Sequence, residues 1–457
     1  MEGDTSFGIL TLIPAILIIV AAIWSRRSFE SLMFGSIIAC IMYAGIGFIN
    51  EITSFSITAV EENAWMYLVL GLFGSFIALL SASKGTFGFA KLIEKFSKTQ
   101  KRSLFVSWVL GIIIFMDDYL NILTVSACMT TLTDKQRTPR EMLAYVVDST
   151  GAPICVIIPL STWSVYYGGV FAQESGLADM GSAQEIYLQA LPYIFYGFTA
   201  VLVVPLVCLG IIPKIGSMKK AYERVAAGGR VYSDNSAKLN ANDIEVTETA
   251  ELPKGNLLDF ALPMLLLIVI AVWTGDLFLG LVWGIVLCAV MYIPRKIIKM
   301  WDFWDAFMNG FKDMIPMIAI CLASQVVKMS MDTIGLPAFV INHTLPLVVP
   351  ETLPAVTFIV VSALAFVTGS TWGVPAVSVP IIAPLAILSG ANIPMTLGAV
   401  VSGAGFGSHA CFYVDATVLT SQACKMDNME HALSQIPYAA IAGGAAIILY
   451  LVFGFVL

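Results

Sequence analysis

From Ser103 to Leu132 the chain carries no charge except two adjacent aspartates, Asp117 and Asp118, with Asn121 about one helical turn beyond. A carboxylate is unfavourable in hydrocarbon, so such a residue is retained where it faces a cavity, an ion or a proton path. As one straight helix the stretch would reach about 45 Å, against a hydrocarbon core of about 30 Å. Lys101 and Arg102 precede it and Lys135, Arg137 and Arg140 follow it, so both ends belong on the cytoplasmic side. The stretch therefore reads as a re-entrant hairpin, 103–132, with Asp117, Asp118 and Asn121 at its tip. A tilted helix broken at the aspartates is the competing solution. Either way, irregular backbone at that depth has to line a polar cavity.

The rest of the chain is as apolar as this stretch. Of 457 residues 58% are hydrophobic and 12% charged, whereas soluble domains carry about 25% charged residues. An all-α polytopic membrane protein follows, with about ten transmembrane helices and two re-entrant hairpins. Continuous apolar runs lie at 7–24, 31–48, 64–82, 188–213, 257–274, 277–294, 314–334 and 436–457. Loops holding Glu51, Glu61 and Glu62, and Glu174, Asp179 and Glu185, contain no Lys or Arg and read as external. Glu2 and Asp4 precede the first run and Arg26 and Arg27 follow it, the reverse of a cleavable signal peptide, which predicts an uncleaved first span and an external N-terminus. All but one of the 24 Lys and Arg then fall on cytoplasmic ends or loops. The exception, Lys328, lies four residues from Asp332, a spacing that suits a snorkelling ion pair.

The second half repeats the first. Pro14, Trp24, Gly35, Met42 and Tyr43 recur at the same spacing as Pro263, Trp273, Gly284, Met291 and Tyr292, and Leu191-Pro192-Tyr193 recurs as Ile436-Pro437-Tyr438. About five crossings per copy make the second copy inverted. The domains are then a first repeat at 1–213, a mobile cytoplasmic linker at 214–256, and a second repeat at 257–457, leaving both termini outside. Each repeat holds one hairpin, 103–132 or 354–388, and one discontinuous helix, 142–171 or 395–424. Asp148-Ser149-Thr150-Gly151-Ala152-Pro153 breaks the first of these helices, because proline removes a backbone donor and bares carbonyls.

Inverted repeats with broken helices place a transport site at the repeat interface. The residues expected there as cation or proton ligands are Asp117, Asp118, Asn121, Asp148, Ser149, Thr150, Asp415 and Thr417, with Na+ at Asp117, Asp118 and Asp148. Carboxylate, carbonyl and hydroxyl oxygens suit hard cations. One of Asp117 and Asp118 can instead cap a helix of the hairpin. A substrate wall is expected from Thr162, Trp163, Thr368, Ser370, Thr371, Trp372, Ser402, Ser408 and His409. The eight cysteines lie almost entirely in apolar runs without metal-ligand spacing and read as buried thiols. No Walker-type, metalloprotease or Gly-x-Ser-x-Gly pattern occurs, so neither an enzyme nor a bound cofactor is expected. No basic tract points to nucleic acid.

Phe115-Met116-Asp117-Asp118-Tyr119-Leu120-Asn121, Thr133-Asp134-Lys135, Leu143 to Pro153 and Ser161-Thr162-Trp163 resemble the NhaC-type sodium/proton antiporter family of the ion transporter superfamily. The resemblance implies a ten-span, two-hairpin fold in the plasma membrane, with Na+ and H+ as coupling ions at the hairpin tips and a homodimeric assembly. The second half departs from the pattern. Where the family often reads Phe-Gly-Asp-His-Cys-Ser-Pro-x-Ser-Asp-Thr-Thr, this chain has Phe406-Gly407-Ser408-His409-Ala410-Cys411-Phe412-Tyr413-Val414-Asp415-Ala416-Thr417. One anion fewer and two aromatics more suit a pocket for an organic substrate as well as a bare cation site. Two functions therefore stand: Na+/H+ exchange, or Na+- or H+-coupled transport of an amino acid or small carboxylate.

Overall fold

The computed structural model describes residues 5–25, 28–85, 88, 97–240, 255–274, 276–336, 339, 349–368, 371–412 and 414–457. Among them every regular element is helical. In the first part of the chain these are α1 (Leu12–Ser25), α2 (Ser28–Ala44), α3 (Phe48–Ala82), α4 (Gln100–Ile113), α5 (Asp118–Lys135), α6 (Arg140–Ser149), α7 (Ala152–Ile157), α8 (Thr162–Ala172), α9 (Ala183–Ala190) and α10 (Phe195–Leu209). After them come α11 (Gly216–Ala226), α12 (Leu257–Thr274), α13 (Leu277–Tyr292), α14 (Met300–Asp313), α15 (Ile315–Thr333), α16 (Leu353–Thr368), α17 (Gly373–Ser389), α18 (Ile393–Ala410), α19 (Asp415–Ala423) and α20 (Asn428–Val456).

The breaks matter more than the helices. Phe29–Trp65 and Asn428–Val456 are long and apolar enough to cross a bilayer unaided, and two bent pairs are so when each is counted as one span. One pair is Arg140–Ile157 with Thr162–Ala172, bent by 43°, and the other Ala183–Tyr193 with Phe195–Leu209, bent by 50°. The 142–171 stretch is interrupted twice. Thr150 and Gly151 leave helical geometry after α6, and Ile158 to Ser161 separate α7 from α8, where Ser161 caps the new helix by accepting from Ser164 N. The 103–132 stretch breaks at 114–117, and α18 stops at Ala410 before α19 resumes at Asp415.

Three expectations change. The loop expected to carry Glu51, Glu61 and Glu62 is helix: α3 runs through all three, departing locally only at Asn63 (φ −117°, ψ 16°). Glutamate is a good helix former, and Phe29–Trp65 continues as one span through Gly45 (φ +55°), with Tyr67–Ala82 a separate apolar helix beyond Asn63. The cytoplasmic loop expected after 277–294 contains the amphipathic helix α14, which buries Phe303 and Gly310 and leaves Trp301 80% exposed. A Cβ at Gly74 would stand 2.1 Å from Gly310 O, so only glycine lets α3 and α14 cross at this distance. Finally, the first part of the 214–256 linker is docked. Met218, Ala221 and Val225 form a buried stripe at helical spacing on α11, and Ser236 and Asn240 are buried beyond it; 241–254 lie outside the described residues.

Candidate functional site

Two polar centres sit in the apolar interior, and both form where a helix stops. At the α4–α5 turn, Asp117 has extended backbone (φ −154°, ψ 138°) and caps α5: its Oδ1 accepts from Tyr119 N at 3.0 Å and Leu120 N at 3.1 Å. Its Oδ2 accepts from Thr162 Oγ1 at 3.2 Å. Asp118 Oδ1 accepts from the indole Nε1 of Trp163 at 3.3 Å, and Thr162 N donates to Met116 O at 3.0 Å. The start of α8 is thereby sewn onto the α4–α5 turn. An aromatic box backs this centre. The Trp163 and Trp372 rings lie 4.5 Å apart, and Tyr166 meets Trp372 edge-on at 5.0 Å. Tyr166 donates to Trp372 O, and Tyr167 donates to Thr371 O at 3.4 Å.

The second centre surrounds Asp148 in the last turn of α6. Its Oδ2 accepts from Gln435 Nε2 at 2.6 Å, pairs with His431 Nε2 at 3.1 Å and accepts from Thr417 Oγ1 at 3.3 Å. Thr417 Oγ1 also lies 3.3 Å from Ser408 O, and Gln435 Nε2 donates to His409 O. Next along α6, Ser149 Oγ is 2.8 Å from His409 Nε2, and His409 Nδ1 is 2.7 Å from the Tyr196 hydroxyl. Asp148 Oδ1, Ser408 Oγ, Gln435 Oε1 and His431 Nδ1 are buried and have no hydrogen-bond partner among the described residues. An orphaned buried carboxylate oxygen is costly. Ser408 and Gln435, which carry the hydroxyl and the amide oxygen, are tied to the same network through Thr417 and the Asp148 carboxylate, and such oxygens suit a proton or a hard monovalent cation.

Asn121 joins the two centres. Its Nδ2 lies 2.7 Å from Gly111 O, 2.8 Å from Ile114 O and 2.7 Å from Thr150 O, so one amide gathers the broken ends of α4 and α6. Among the described residues, the three aspartates expected to hold Na+ fall into two hydrogen-bond networks, Asp117 and Asp118 in one and Asp148 in the other. Ser402 meets the second centre only through Tyr196, whose N donates to its Oγ at 3.3 Å, and it lies 2.7 Å from the Tyr450 hydroxyl. Thr368 and Asp415 fall in helices α16 and α19 by backbone. Their side chains, and all of Ser370, lie outside the described residues.

His431, Gln435 and Tyr196 were not expected. The available signal was the pair His431 and Gln435, four apart and hence on one face of the helix whose remainder from Ile436 is apolar.

Away from these centres, Glu174 follows the end of α8 and lies against Lys328 and Asp332, which form an ion pair at 3.5 Å. Burial pushes the Glu174 carboxyl up to about 7, with Lys328 opposing the rise and Asp332 adding to it. The folded protein then keeps this proton at pH values where the unfolded chain gives it up. Its stabilising contribution is complete at acid pH and is lost as pH rises through about 7. Thermal unfolding followed from pH 4 to 8 should show a falling branch that Glu174→Gln flattens; identical profiles would show that the carboxyl is not held protonated.

Residues 154–455 match the model of the Na+/H+ antiporter family. An uncharacterized protein of Haemophilus influenzae is 27% identical over 99% of this chain and 92% of its own. A malate-2H(+)/Na(+)-lactate antiporter of Bacillus subtilis is 29% identical over 156 residues, 34% of this chain and 33% of that protein. Among solved structures, Neisseria gonorrhoeae MtrF, from a class of antimetabolite efflux pumps, superposes with a TM-score of 0.64 at 13% identity, covering 97% of this chain and 95% of MtrF. The Alcanivorax borkumensis YdaH transporter, of unusual topology, gives 0.57 at 10% identity over 90% of each chain. At these identities the two structures speak to the fold alone.

Proposed function

The chain belongs to the Na+/H+ antiporter family, a family of secondary transporters, and from that premise we propose that it exchanges Na+ for H+ by alternating access. The observation that carries the reading is Asp148, whose one oxygen is held by Gln435, His431 and Thr417 while the other has no partner among the described residues. A carboxylate removed from water does not stand charged and bare: it takes either a proton or a cation. Ser408 Oγ and Gln435 Oε1 are the further oxygens for the cation. Competition between Na+ and H+ for that oxygen, with access alternating between the two sides, is sufficient for exchange.

The frame of the proposal is two inverted repeats of about five crossings each in the plasma membrane, termini outside, assembled as a homodimer. Asp118 offers a second cation ligand at the hairpin tip, and Asp117 fixes the turn that presents it. A second reading rests on the aromatic box. Trp163, Trp372 and Tyr166 next to Asp118 suit an amino acid or small carboxylate carried with the coupling ion. The Bacillus subtilis relative, named for malate and lactate, supports it over about a third of the chain.

Purified protein in liposomes decides between the two. A Na+ gradient alone, with no organic solute present, should drive protons the opposite way, read with a trapped pH-sensitive dye. Proton movement that appears only when an amino acid or carboxylate is added replaces the first reading with the second.

A further inference from the structure

The helices that build the Asp148 network are tied together at one end by a polar segment that exchange at Asp148 does not itself use. Arg224 grips both carboxylate oxygens of Glu141, at 2.9 and 3.0 Å, two turns of α6 before Asp148. Arg140, at the start of α6, bonds to Asp134 and to Asn240, and its own N–H donates to Val231 O at 2.9 Å. On the other side, Glu430 accepts from Ser233, from Asn235 at 2.9 Å and from Ser236 at 3.2 Å. Asp427 N donates to Ser236 Oγ at 2.9 Å, and Asn240 donates to Lys425 O at 2.8 Å. Residues 230–240 thus run from the first turn of α6 to the junction of α19 and α20. Those three helices supply Asp148, Thr417, His431 and Gln435.

We propose that residues 230–240 form a strap that gates the approach to Asp148 from the cytoplasmic side and detaches once in each transport cycle. The inference rests on the exchange reading of Asp148. Lys214, Lys219, Lys220, Arg224 and Arg230 assign this end of the molecule to the cytoplasm. The attachment is of the kind that opens. Arg230, Asp234 and Asn235 are exposed and Val231 and Tyr232 half-buried, while Ser236 and Asn240 are buried. The contacts are hydrogen bonds and the Arg140 guanidinium 5.2 Å over the Tyr232 ring, and among the described side chains of the strap no apolar one is buried, so its release exchanges polar contacts for water without exposing an apolar core. Glu430, held by three donors, directly precedes His431. Detaching the strap therefore frees the end of α20 that brings His431 and Gln435 to Asp148.

The test is a reversible lock. Ser236→Cys with Asp427→Cys joins strap to α20 at a pair already in contact, within disulfide reach of about 7 Å between Cα atoms. Oxidised protein in liposomes should exchange at least tenfold more slowly than the same protein after dithiothreitol, while Na+ still raises its thermal stability equally in both forms. Equal rates would make the strap a static brace and overturn the proposal. Should the pair fail to cross-link, native Cys424 reports instead: it is buried, hydrogen-bonded to Ser126, and precedes the Lys425 carbonyl that Asn240 holds. N-ethylmaleimide, followed by mass spectrometry of this cysteine, should modify it several-fold faster during turnover than at rest; equal labelling refutes the gate. Na+-driven proton movement by the wild type is scored separately. Its absence removes the exchange reading, and the oxidised-to-reduced ratio is then read on whichever coupled transport the wild type performs.

Discussion

Asp148→Asn should lower Na+-driven proton movement by about 100-fold or more while leaving the fold in place. The amide oxygen can take over the bonds now made to Oδ2 by Gln435, His431 and Thr417, so the packing between α6, α19 and α20 has no reason to fail. The charge is what disappears, and with it the group that binds either ion. Removing one charged partner of a desolvated pair costs about 2–5 kcal/mol, and about 2.8 kcal/mol is already 100-fold in an equilibrium. Asp117→Asn is the contrast. Asparagine caps helices as well as aspartate, so Tyr119 N and Leu120 N keep their acceptor and a far smaller effect is expected. Exchange assays in liposomes, paired with Na+-dependent thermal shifts, separate the two. Full activity in Asp148→Asn would remove Asp148 from the site.

Asn121→Leu should be the most destabilising single change in the interior. The two side chains are close in size, so the substitution tests the amide rather than the volume. The amide has two N–H groups for three carbonyls, so leucine removes two hydrogen bonds shared among Gly111 O, Ile114 O and Thr150 O, at about 1 kcal/mol or more for each. A loss of about 2 kcal/mol or more exceeds the roughly 1 kcal/mol of an ordinary substitution. Asn121→Asp should be worse, because it turns an acceptor toward three acceptors. Thermal unfolding of the purified variants in detergent measures both; a leucine variant as stable as wild type would show that the carbonyls find other donors.

What could be read from the residues alone follows how local the information is. Two acids in an otherwise uncharged apolar stretch mark the break between α4 and α5, and Gly151 and Pro153 mark the break above Asp148, because chain geometry and hydrocarbon act on neighbours in sequence. The amphipathic helix α14 and the helical course of 48–63 were missed for a related reason: charges were taken as loop markers, although Glu61 and Glu62 sit comfortably on a helix. The docked half of the linker was missed because its anchors, Glu430 and Lys425, lie nearly 200 residues away.

The sequence by itself determined the solvent, the helical class and the family, and singled out the acids inside the apolar stretches, since each of these follows from transfer energies and short motifs carried within a few turns of chain. Only the tertiary structure decided which partners each acid meets. Asp117 became a cap because Tyr119 and Leu120 turn their amides toward it, and Asp148 became the centre of a buried polar network because α20 returns, 283 residues later, to place His431 against one of its oxygens. A carboxylate's chemistry is set by the dipoles packed around it, and which dipoles arrive is a property of the fold.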